Sequence, residues 1–338
     1  MDTQRLQQLH ARLQQQYVGP GRIPGCQWLV ARRGEVVAQH SLGLMDVARG
    51  TPMRPDALFR IYSMTKPITS VALMMLYEQG HFQLNDPVHQ YIPSWRGQRV
   101  WVAGDGKGMQ TREPAQPMTM RHLLNHSSGL TYGGLLLPAG TEPDPVDRAY
   151  RALHVNTRNG DSLATFIDKL GQVPLRYDPG QAWGYSFATD VCGYLVQQLS
   201  GQPFEQFLQQ RIFGPLGMVD TAFHVPPGKR DRLAACYQHD PDGPPKLLDD
   251  PQASLWAAPP ALASGGGGLV STLADYHRFG EMLRQGGELN GVRLLGPRTL
   301  QLMTRNHLPG GRDLSQCAVD AFSETAYQGV GFGLGFAT

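Results

Sequence analysis

The sequence predicts a globular protein of mixed helix and strand structure, in the α/β (α+β) class. Three observations predict this class. The chain has 338 residues, of which 41% are hydrophobic and 17% are charged, a balance that is typical of a protein with a packed core. Two alternating segments near the N-terminus are typical of a β-hairpin. A later segment is apolar on nearly every side, which is typical of a buried helix.

Composition and charge exclude several classes of function. The formal net charge is +2, too near balance for a nucleic acid to be the main partner. The longest apolar run, Ile68 to Leu76, is about half of the roughly 18 residues that a membrane-spanning helix needs. The N-terminal residues 1–5 are polar and have no apolar signal-peptide core. We therefore expect a cytoplasmic protein that binds neither nucleic acid nor membrane.

The first predicted elements are a helix and a hairpin. Apolar residues at helical spacing predict an amphipathic helix over residues 3–17, ended by Gly19-Pro20-Gly21. Residues 26–31 and 35–41 are expected to form two β-strands joined by a turn at Arg33-Gly34.

The next predicted element is the apolar helix, over residues 63–79 and ended by Gly80. Its N-terminal end contains Ser63 and Lys66. The start of a buried helix is a notable place for a serine and a lysine, because polar side chains are costly to bury.

The rest of the chain alternates short helices with long loops rich in glycine and proline. Helices are predicted over residues 120–125, 162–171, 189–200, 203–212, 272–285 and 297–304. Loops are predicted over residues 96–117, 137–147 and 225–260. The final segment, residues 330–336, alternates glycine with apolar residues and is expected to be a strand.

Ser63-Met64-Thr65-Lys66 has the S-x-x-K pattern of a serine nucleophile with a lysine partner. Residues three apart on a helix share a face, so the amine can reach the serine hydroxyl. Only five of the 30 basic residues are lysines, and a desolvated lysine, unlike an arginine, can accept a proton. On this pattern alone, a helix-capping serine beside an unrelated lysine stays an alternative.

Tyr185 is a third candidate, in a Gly/Pro-rich loop just before an apolar helix. A phenol near Lys66 could be held partly as phenolate by the ammonium and act as the general base. Tyr185 is one of 12 tyrosines, so a purely packing role is the alternative.

Six segments follow one another in an order that is known from one family: 59–66, 123–130, 177–180, 185–186, 215–218 and 264–269. In these segments the chain resembles the serine β-lactamase-like superfamily, in its class C β-lactamase and D,D-carboxypeptidase branch. It is most similar to the family VIII bacterial esterases. The resemblance implies that Ser63 is acylated, that Lys66 and Tyr185 transfer its proton, and that no metal or organic cofactor takes part.

The resemblance also implies a β-lactamase/transpeptidase-like fold. An antiparallel sheet flanked by helices would be built from residues 1–85 and 258–338, with an inserted, mostly helical lobe at residues 86–257. The active site would lie in the cleft between these lobes.

Two departures from the family pattern matter. The β-lactamase branch has Tyr-x-Asn where this chain has Phe187, an apolar side chain that favours simple esters over β-lactams or peptides. The family's third motif, Lys-Thr-Gly, His-x-Gly or Trp-Gly-Gly on a late strand, does not follow. We therefore expect a C-terminally truncated chain that lacks the last strands and one oxyanion donor, a loss worth about 3 kcal/mol of transition-state stabilisation.

Other signals are weaker. His122 and His126 lie four residues apart and could in principle bind zinc, but no third ligand is evident, so no metal is expected. Ser264 and the four glycines after it lack the Gly-Lys-Ser/Thr ending of a phosphate-binding loop. A flexible loop beside the cleft, in which glycine permits close backbone approach, is favoured instead.

The sequence thus predicts a serine carboxylesterase that acts on small-molecule esters of short acyl chains through a Ser63 acyl-enzyme. Three alternatives stay open: a β-lactamase or D,D-peptidase, an acyltransferase of the same family, and a non-catalytic scaffold. The oligomeric state is not predicted.

Overall fold

A computed structural model of the chain describes residues 2–137, 140–241, 243–319 and 327–338. The helices in these ranges are α1 (Thr3–Leu13), α2 (Thr65–Glu78), α3 (Met120–Leu124), α4 (Pro145–Ala152), α5 (Leu163–Gln172), α6 (Ala188–Ser200), α7 (Phe204–Leu208), α8 (Gly214–Leu216), α9 (Leu273–Arg284), α10 (Pro297–Met303) and α11 (Leu314–Cys317). The longest of them, α2, has 14 residues, and no helix described is both long and apolar enough to cross a membrane.

The strands in the same ranges are short, apart from the first two. They are β1 (Gly25–Arg32), β2 (Glu35–Asp46), β3 (Thr51–Pro52), β4 (Phe59–Arg60), β5 (Val100–Ala103), β6 (Gln110–Arg112), β7 (Trp183–Gly184), β8 (Cys236–Gln238), β9 (Lys246–Asp249), β10 (Val270–Ser271), β11 (Glu288–Leu289), β12 (Val292–Arg293) and β13 (Ala318–Val319).

The chain divides into two compact units. The first comprises Met1–Ile61, Leu216–Pro260 and Leu269–Glu281, and the second comprises Tyr62–Pro215, Ala261–Gly268 and Met282–Thr338. Ser63, Lys66 and Tyr185 all belong to the second unit. The lobes inferred from the resemblance stay a prediction.

The first unit contains the predicted hairpin. Strands β1 and β2 pair antiparallel, and β3 adds to β2. The turn consists of Arg33 and Gly34, with φ angles of 55° and 89°, which is the left-handed backbone that a two-residue hairpin turn requires. Strand β4 pairs with β10, and a further hairpin, β8–β9, lies within the stretch predicted as loop.

A buried arginine joins several segments of the first unit. Arg60 on β4 forms an ion pair with Asp249 on β9 and donates to the carbonyl of Ala234. It also donates to Ser254 Oγ at 3.1 Å, and its guanidinium lies 5.5 Å from the ring centroid of Trp256. A buried charge loses its hydrating water, and these partners compensate Arg60 for that loss.

Helix α2 forms the core of the second unit and packs against α6. Every residue from Ile68 to Leu76 is at most 4% exposed, so the predicted burial of this helix on all sides is confirmed. The chain leaves the helix through Gly80, whose φ is +78°. Such a left-handed residue after a helix is most often glycine, because glycine has no Cβ to clash.

Three other parts of the second unit differ from the predictions. Helix α4 and the hairpin β5–β6 both lie in or overlap predicted loops. Residues 330–336 do not form the predicted strand: the Gly333 N–H donates to the Phe336 carbonyl at 2.7 Å, and Gly335 has a φ of +96°. Alternating glycines imitate the two-residue period of a strand, but here they permit a turn.

Candidate active site

Ser63 lies in a single 3₁₀ turn, Tyr62–Met64, directly before α2. Its side chain is exposed, although the helix that follows is buried. Tyr62 has a φ of +42°, in the left-handed region that costs a residue with a Cβ about 1–2 kcal/mol. This strained turn carries Ser63 from the buried helix to an accessible position.

Lys66 lies one turn further along, in the first turn of α2, and is only 5% exposed. Its Nζ donates to Ser63 Oγ at 3.2 Å and to the carbonyl oxygen of Gly266 at 2.6 Å. Burial lowers the pKa of Lys66 to about 8, and the negative charge of Asp190 opposes that shift. At pH 7 Lys66 is then neutral in about a tenth of the molecules, and the neutral amine can accept the proton of Ser63.

Tyr185 contacts both Ser63 and Lys66. Its hydroxyl is hydrogen-bonded to the side chain of Ser63, and its ring centroid lies 4.5 Å from Lys66 Nζ. The structure thus brings together the three side chains that the sequence singled out. Burial raises the pKa of Tyr185, so the phenol keeps its proton near neutral pH. This direction is opposite to the partial phenolate that a nearby ammonium could favour.

Histidine and tryptophan rings hold Tyr185 in place. The rings of His126 and Trp183 have their centroids 5.1 Å and 6.1 Å from that of Tyr185. The Gly184 N–H donates to the His126 carbonyl at 2.9 Å, which ties the loop before Tyr185 to the end of α3. Burial, with a smaller effect of the Lys66 charge, lowers the pKa of His126 to about 3, so this ring is neutral.

The two histidines that the sequence suggested as weak zinc candidates have other partners. His122 Nδ1 accepts the Thr119 N–H at 3.1 Å, as part of a capping box at the start of α3. His126 Nδ1 lies 3.3 Å from Ser186 Oγ. Over residues 2–137, 140–241, 243–319 and 327–338, no group of three or more His, Cys, Asp or Glu side chains is placed to hold a metal ion.

Asp190, which the sequence did not single out, also belongs to the site and is 1% exposed. Its Oδ1 accepts from Ser264 Oγ at 2.5 Å and from the Gly266 N–H at 3.0 Å. Burial raises the pKa of Asp190, whereas Lys66 and these two donors lower it. The glycine-rich loop expected beside the site therefore makes the close backbone approach that glycine permits, and Asp190 fixes it to α6.

Tyr132 is a second site residue that the sequence did not single out. Its ring centroid lies 5.4 Å from Lys66 Nζ, and burial raises its pKa well above the usual value. Phe187, expected to form the apolar wall toward the substrate, is instead 2% exposed. Its ring packs against Tyr132 and Phe166, at centroid distances of 4.5 and 5.2 Å. Phe187 thus supports Tyr132, whose ring lies beside Lys66 together with that of Tyr185.

A small cavity lies beside Tyr185. Its volume is about 20 Å³, and Tyr132, Leu136 and Leu137 contribute to its lining. This is room for about one water molecule or a group of similar size.

Comparisons with known proteins identify the family. The model of the Beta-lactamase family matches residues 10–337. The chain belongs to the β-lactamase family. The resemblance and the β-lactamase/transpeptidase-like fold predicted from the sequence are thereby confirmed.

Two relatives of this β-lactamase-family chain are 34% identical to it. One is Esterase EstB of Burkholderia gladioli, matched over 277 residues that make up 78% of this chain and 66% of EstB. The other is Protein Rv1367c of Mycobacterium tuberculosis, matched over 290 residues, 85% of this chain and 69% of that protein. Among solved structures, EstCE1, described as a hydrolase with promiscuous acyltransferase activity, has a TM-score of 0.75 and 29% identity. That match covers 98% of this chain and 83% of EstCE1.

Proposed function

We propose that this protein is a serine carboxylesterase in which Ser63 is the nucleophile and Lys66 and Tyr185 are the proton-transfer pair. The observation that carries the proposal is the 3.2 Å distance from Lys66 Nζ to Ser63 Oγ, made by a buried lysine whose pKa is about 8. A lysine of that pKa serves as a general base at neutral pH, whereas an exposed lysine stays protonated.

The first half of the reaction acylates the enzyme. Neutral Lys66 accepts the proton of Ser63 Oγ while that oxygen bonds to the ester carbonyl carbon. The bond from this carbon to the alcohol oxygen then breaks. Tyr185, hydrogen-bonded to Ser63 as a neutral phenol, donates its proton to the leaving oxygen, and the Lys66 ammonium restores the phenol.

The second half releases the acid. Lys66, again neutral, accepts a proton from a water molecule as the water oxygen bonds to the acyl carbon. The bond between that carbon and Ser63 Oγ breaks, and Oγ regains a proton from the ammonium. Each group ends in the state in which it began, so no further reactant is needed.

We propose that the substrates of this protein are small-molecule esters of short acyl chains, which can reach Ser63 because this residue is exposed. The relative named as an esterase, at 34% identity, also supports ester hydrolysis.

A second candidate function is transfer of the acyl group to an alcohol. It is favoured by the similarity to EstCE1, whose description includes promiscuous acyltransferase activity. Ser63 is exposed, so an alcohol could reach its acyl group as water does. The two functions are separated by the ratio of transfer to hydrolysis when an alcohol is added.

A covalent-labelling experiment tests the proposal. Incubation with a fluorophosphonate should add one adduct to the protein, detected by intact mass and located on Ser63 by peptide mapping. Ser63→Ala should stay unlabelled, whereas Ser94→Ala, which changes an exposed serine of the same unit, should label like the parent. An adduct that persists in Ser63→Ala would place the nucleophile elsewhere, and a parent protein that remains unlabelled would favour a non-catalytic scaffold; either result would overturn the proposal.

A substrate comparison tests the reaction class. The protein should hydrolyse p-nitrophenyl acetate much faster than nitrocefin. Faster turnover of nitrocefin would assign the site to a β-lactamase or D,D-peptidase instead.

A further inference from the structure

Asp190 is a buried carboxylate that the reaction described above does not use. Two donors from one loop, the Ser264 hydroxyl and the Gly266 N–H, converge on its Oδ1 at 2.5 and 3.0 Å. A buried carboxylate needs such donors because it has lost its water. The two hydrogen bonds therefore fix this loop to α6, the helix that contains Asp190.

The same loop also holds Lys66, through the carbonyl group of Gly266. The Gly266 carbonyl accepts from Lys66 Nζ at 2.6 Å, a shorter bond than the 3.2 Å bond to Ser63 Oγ. Gly266 thus joins Asp190 to Lys66, with its N–H on one side and its carbonyl on the other. A lysine side chain gives up about 2 kcal/mol of rotamer entropy when it is held in one position, so a fixed Lys66 needs an anchor that offsets this loss.

Close approach of the loop to α6 requires glycine at two positions. A Cβ on residue 266 would overlap Asp190 Oδ2, and a Cβ on residue 265 would lie 2.6 Å from the Thr189 carbonyl oxygen. Larger residues would push the loop away from Asp190 and take the Gly266 carbonyl with it. The contact therefore depends on glycine at the point where the amine is held.

We propose that Asp190 is a positioning residue, which holds the 264–266 loop so that the Gly266 carbonyl keeps Lys66 Nζ against Ser63 Oγ. The inference rests on the proposed function for its catalytic meaning. Its geometric content, the dependence of the Lys66 side chain on Asp190, is independent of any activity.

The charge of Asp190 acts on the same amine. The groups that face Lys66 are Ser63 from the turn before α2, the Gly266 carbonyl, and the three rings of Tyr132, Tyr185 and His126. The rings are neutral near pH 7, because the pKa of each tyrosine is raised and that of His126 is lowered to about 3. Asp190 raises the pKa of Lys66, so removal of its charge should lower that pKa.

Two substitutions separate position from charge. Asp190→Asn removes the charge but keeps an oxygen that can accept from Ser264 and Gly266, whereas Asp190→Ala removes both. Asp275→Asn is the matched control, since Asp275 is also buried and accepts from the Asp220 N–H and from Thr221 Oγ1, at 2.7 and 3.0 Å, within the first unit.

The first readout does not need activity. The chain has five lysines, so with ¹³Cε-labelled lysine each resonance can be assigned by substitution and titrated by NMR. The midpoint for Lys66 should lie near 8 in the parent and in Asp275→Asn, and about 0.5–1 pH unit lower in Asp190→Asn. In Asp190→Ala the Lys66 resonance should also broaden or split, because the side chain is no longer held in one position. A Lys66 resonance with parental shape and midpoint in Asp190→Ala would overturn the proposal, whether or not the protein is an esterase.

The second readout is the rate of fluorophosphonate labelling against pH. Asp190→Asn should label at a plateau rate within a few-fold of the parent and faster than the parent below pH 7. Asp190→Ala, which loses the same charge and also the acceptor, should label about 100-fold more slowly than Asp190→Asn at every pH. Equal plateau rates for Asp190→Ala and the parent would overturn the proposal. If Asp190→Ala does not fold, Ser264→Ala removes one of the two donors but keeps the charge. It should broaden the Lys66 resonance and slow the plateau labelling, less strongly than Asp190→Ala; an unchanged resonance shape and plateau rate in that variant would overturn the proposal.

Discussion

Ser63 is exposed, yet Lys66, three residues later, is buried, and their Oγ and Nζ atoms lie 3.2 Å apart. One helical turn thus joins a hydroxyl that a substrate can reach to an amine that solvent hardly reaches. The exposure of the first supplies access, and the burial of the second lowers its pKa. The exposure of Ser63 and the burial of Lys66 both follow from the position of the helix N-terminus, since Ser63 lies in the turn before α2 and Lys66 lies in the first turn of this buried helix.

The pH dependence of turnover should follow Lys66. In the proposed reaction the neutral amine is the base, so kcat/KM should rise with pH and level off above a midpoint near 8. At pH 6 the value should be about 100-fold below the plateau. Buffer-corrected p-nitrophenyl acetate hydrolysis between pH 6 and 9.5 measures this. Lys66→Arg is the control, since an arginine stays protonated and should be inactive at every pH; a flat profile in the parent would contradict a lysine base.

Tyr185→Phe should slow acylation without unfolding the protein. The ring would keep its packing against His126 and Trp183, whereas the hydroxyl bonded to Ser63 would be lost. We expect turnover to fall about 100-fold and the free energy of unfolding to change by less than about 1 kcal/mol. Tyr194→Phe, on α6, should leave turnover unchanged. Parental turnover in Tyr185→Phe would mean that the hydroxyl transfers no proton.

Gly266→Ala should destabilise the protein, because the added methyl group would overlap Asp190 Oδ2. Overpacking of this kind costs about 1–3 kcal/mol of unfolding free energy. Gly267→Ala is a control in the same loop, since a Cβ there would lie 3.7 Å from its nearest neighbour, the backbone of Tyr62. Urea unfolding of the two variants measures the difference, and equal stabilities would show that the loop moves away from Asp190 without cost.

Arg60→Met should destabilise the first unit. The substitution leaves Asp249 without its ion-pair partner and removes the donor to Ser254, and breaking a buried pair costs about 3–5 kcal/mol. Arg32→Met, at the exposed end of β1, should change the unfolding free energy by less than about 0.5 kcal/mol. Thermal or urea unfolding distinguishes the two variants. If Arg60→Met proves as stable as Arg32→Met, packing of the new side chain compensates for the lost charge and the prediction is wrong.

The parts of the site that are local in sequence could be predicted. Ser63 and Lys66 are three residues apart, so helical geometry alone brings them together. Tyr185 could be added from the resemblance, since no local rule places it near Lys66. Its protonation could not be predicted, because the pKa of the phenol depends on burial by residues from other parts of the chain.

No sequence pattern identifies Asp190 or Tyr132 as a residue of the site. Asp190 acts through a hydrogen-bonded loop that is distant in sequence, and an acidic residue at the first turn of a helix is common for other reasons. Helix α4, by contrast, could have been found, since Asp144 at the N-cap followed by Pro145 is a helix-start signal. Residues 330–336 alternate glycine with apolar residues, but glycine has no side chain to place on a sheet face, so this alternation does not distinguish a strand from a turn.

The left-handed backbone of Tyr62 has a thermodynamic consequence. A glycine at this position would adopt the same conformation without steric penalty, yet it would also give the turn more freedom in both the folded and the unfolded chain. The lower entropy of the unfolded chain with tyrosine therefore offsets part of the steric cost at this position, so that Tyr62→Gly need not raise the heat tolerance of the molecule.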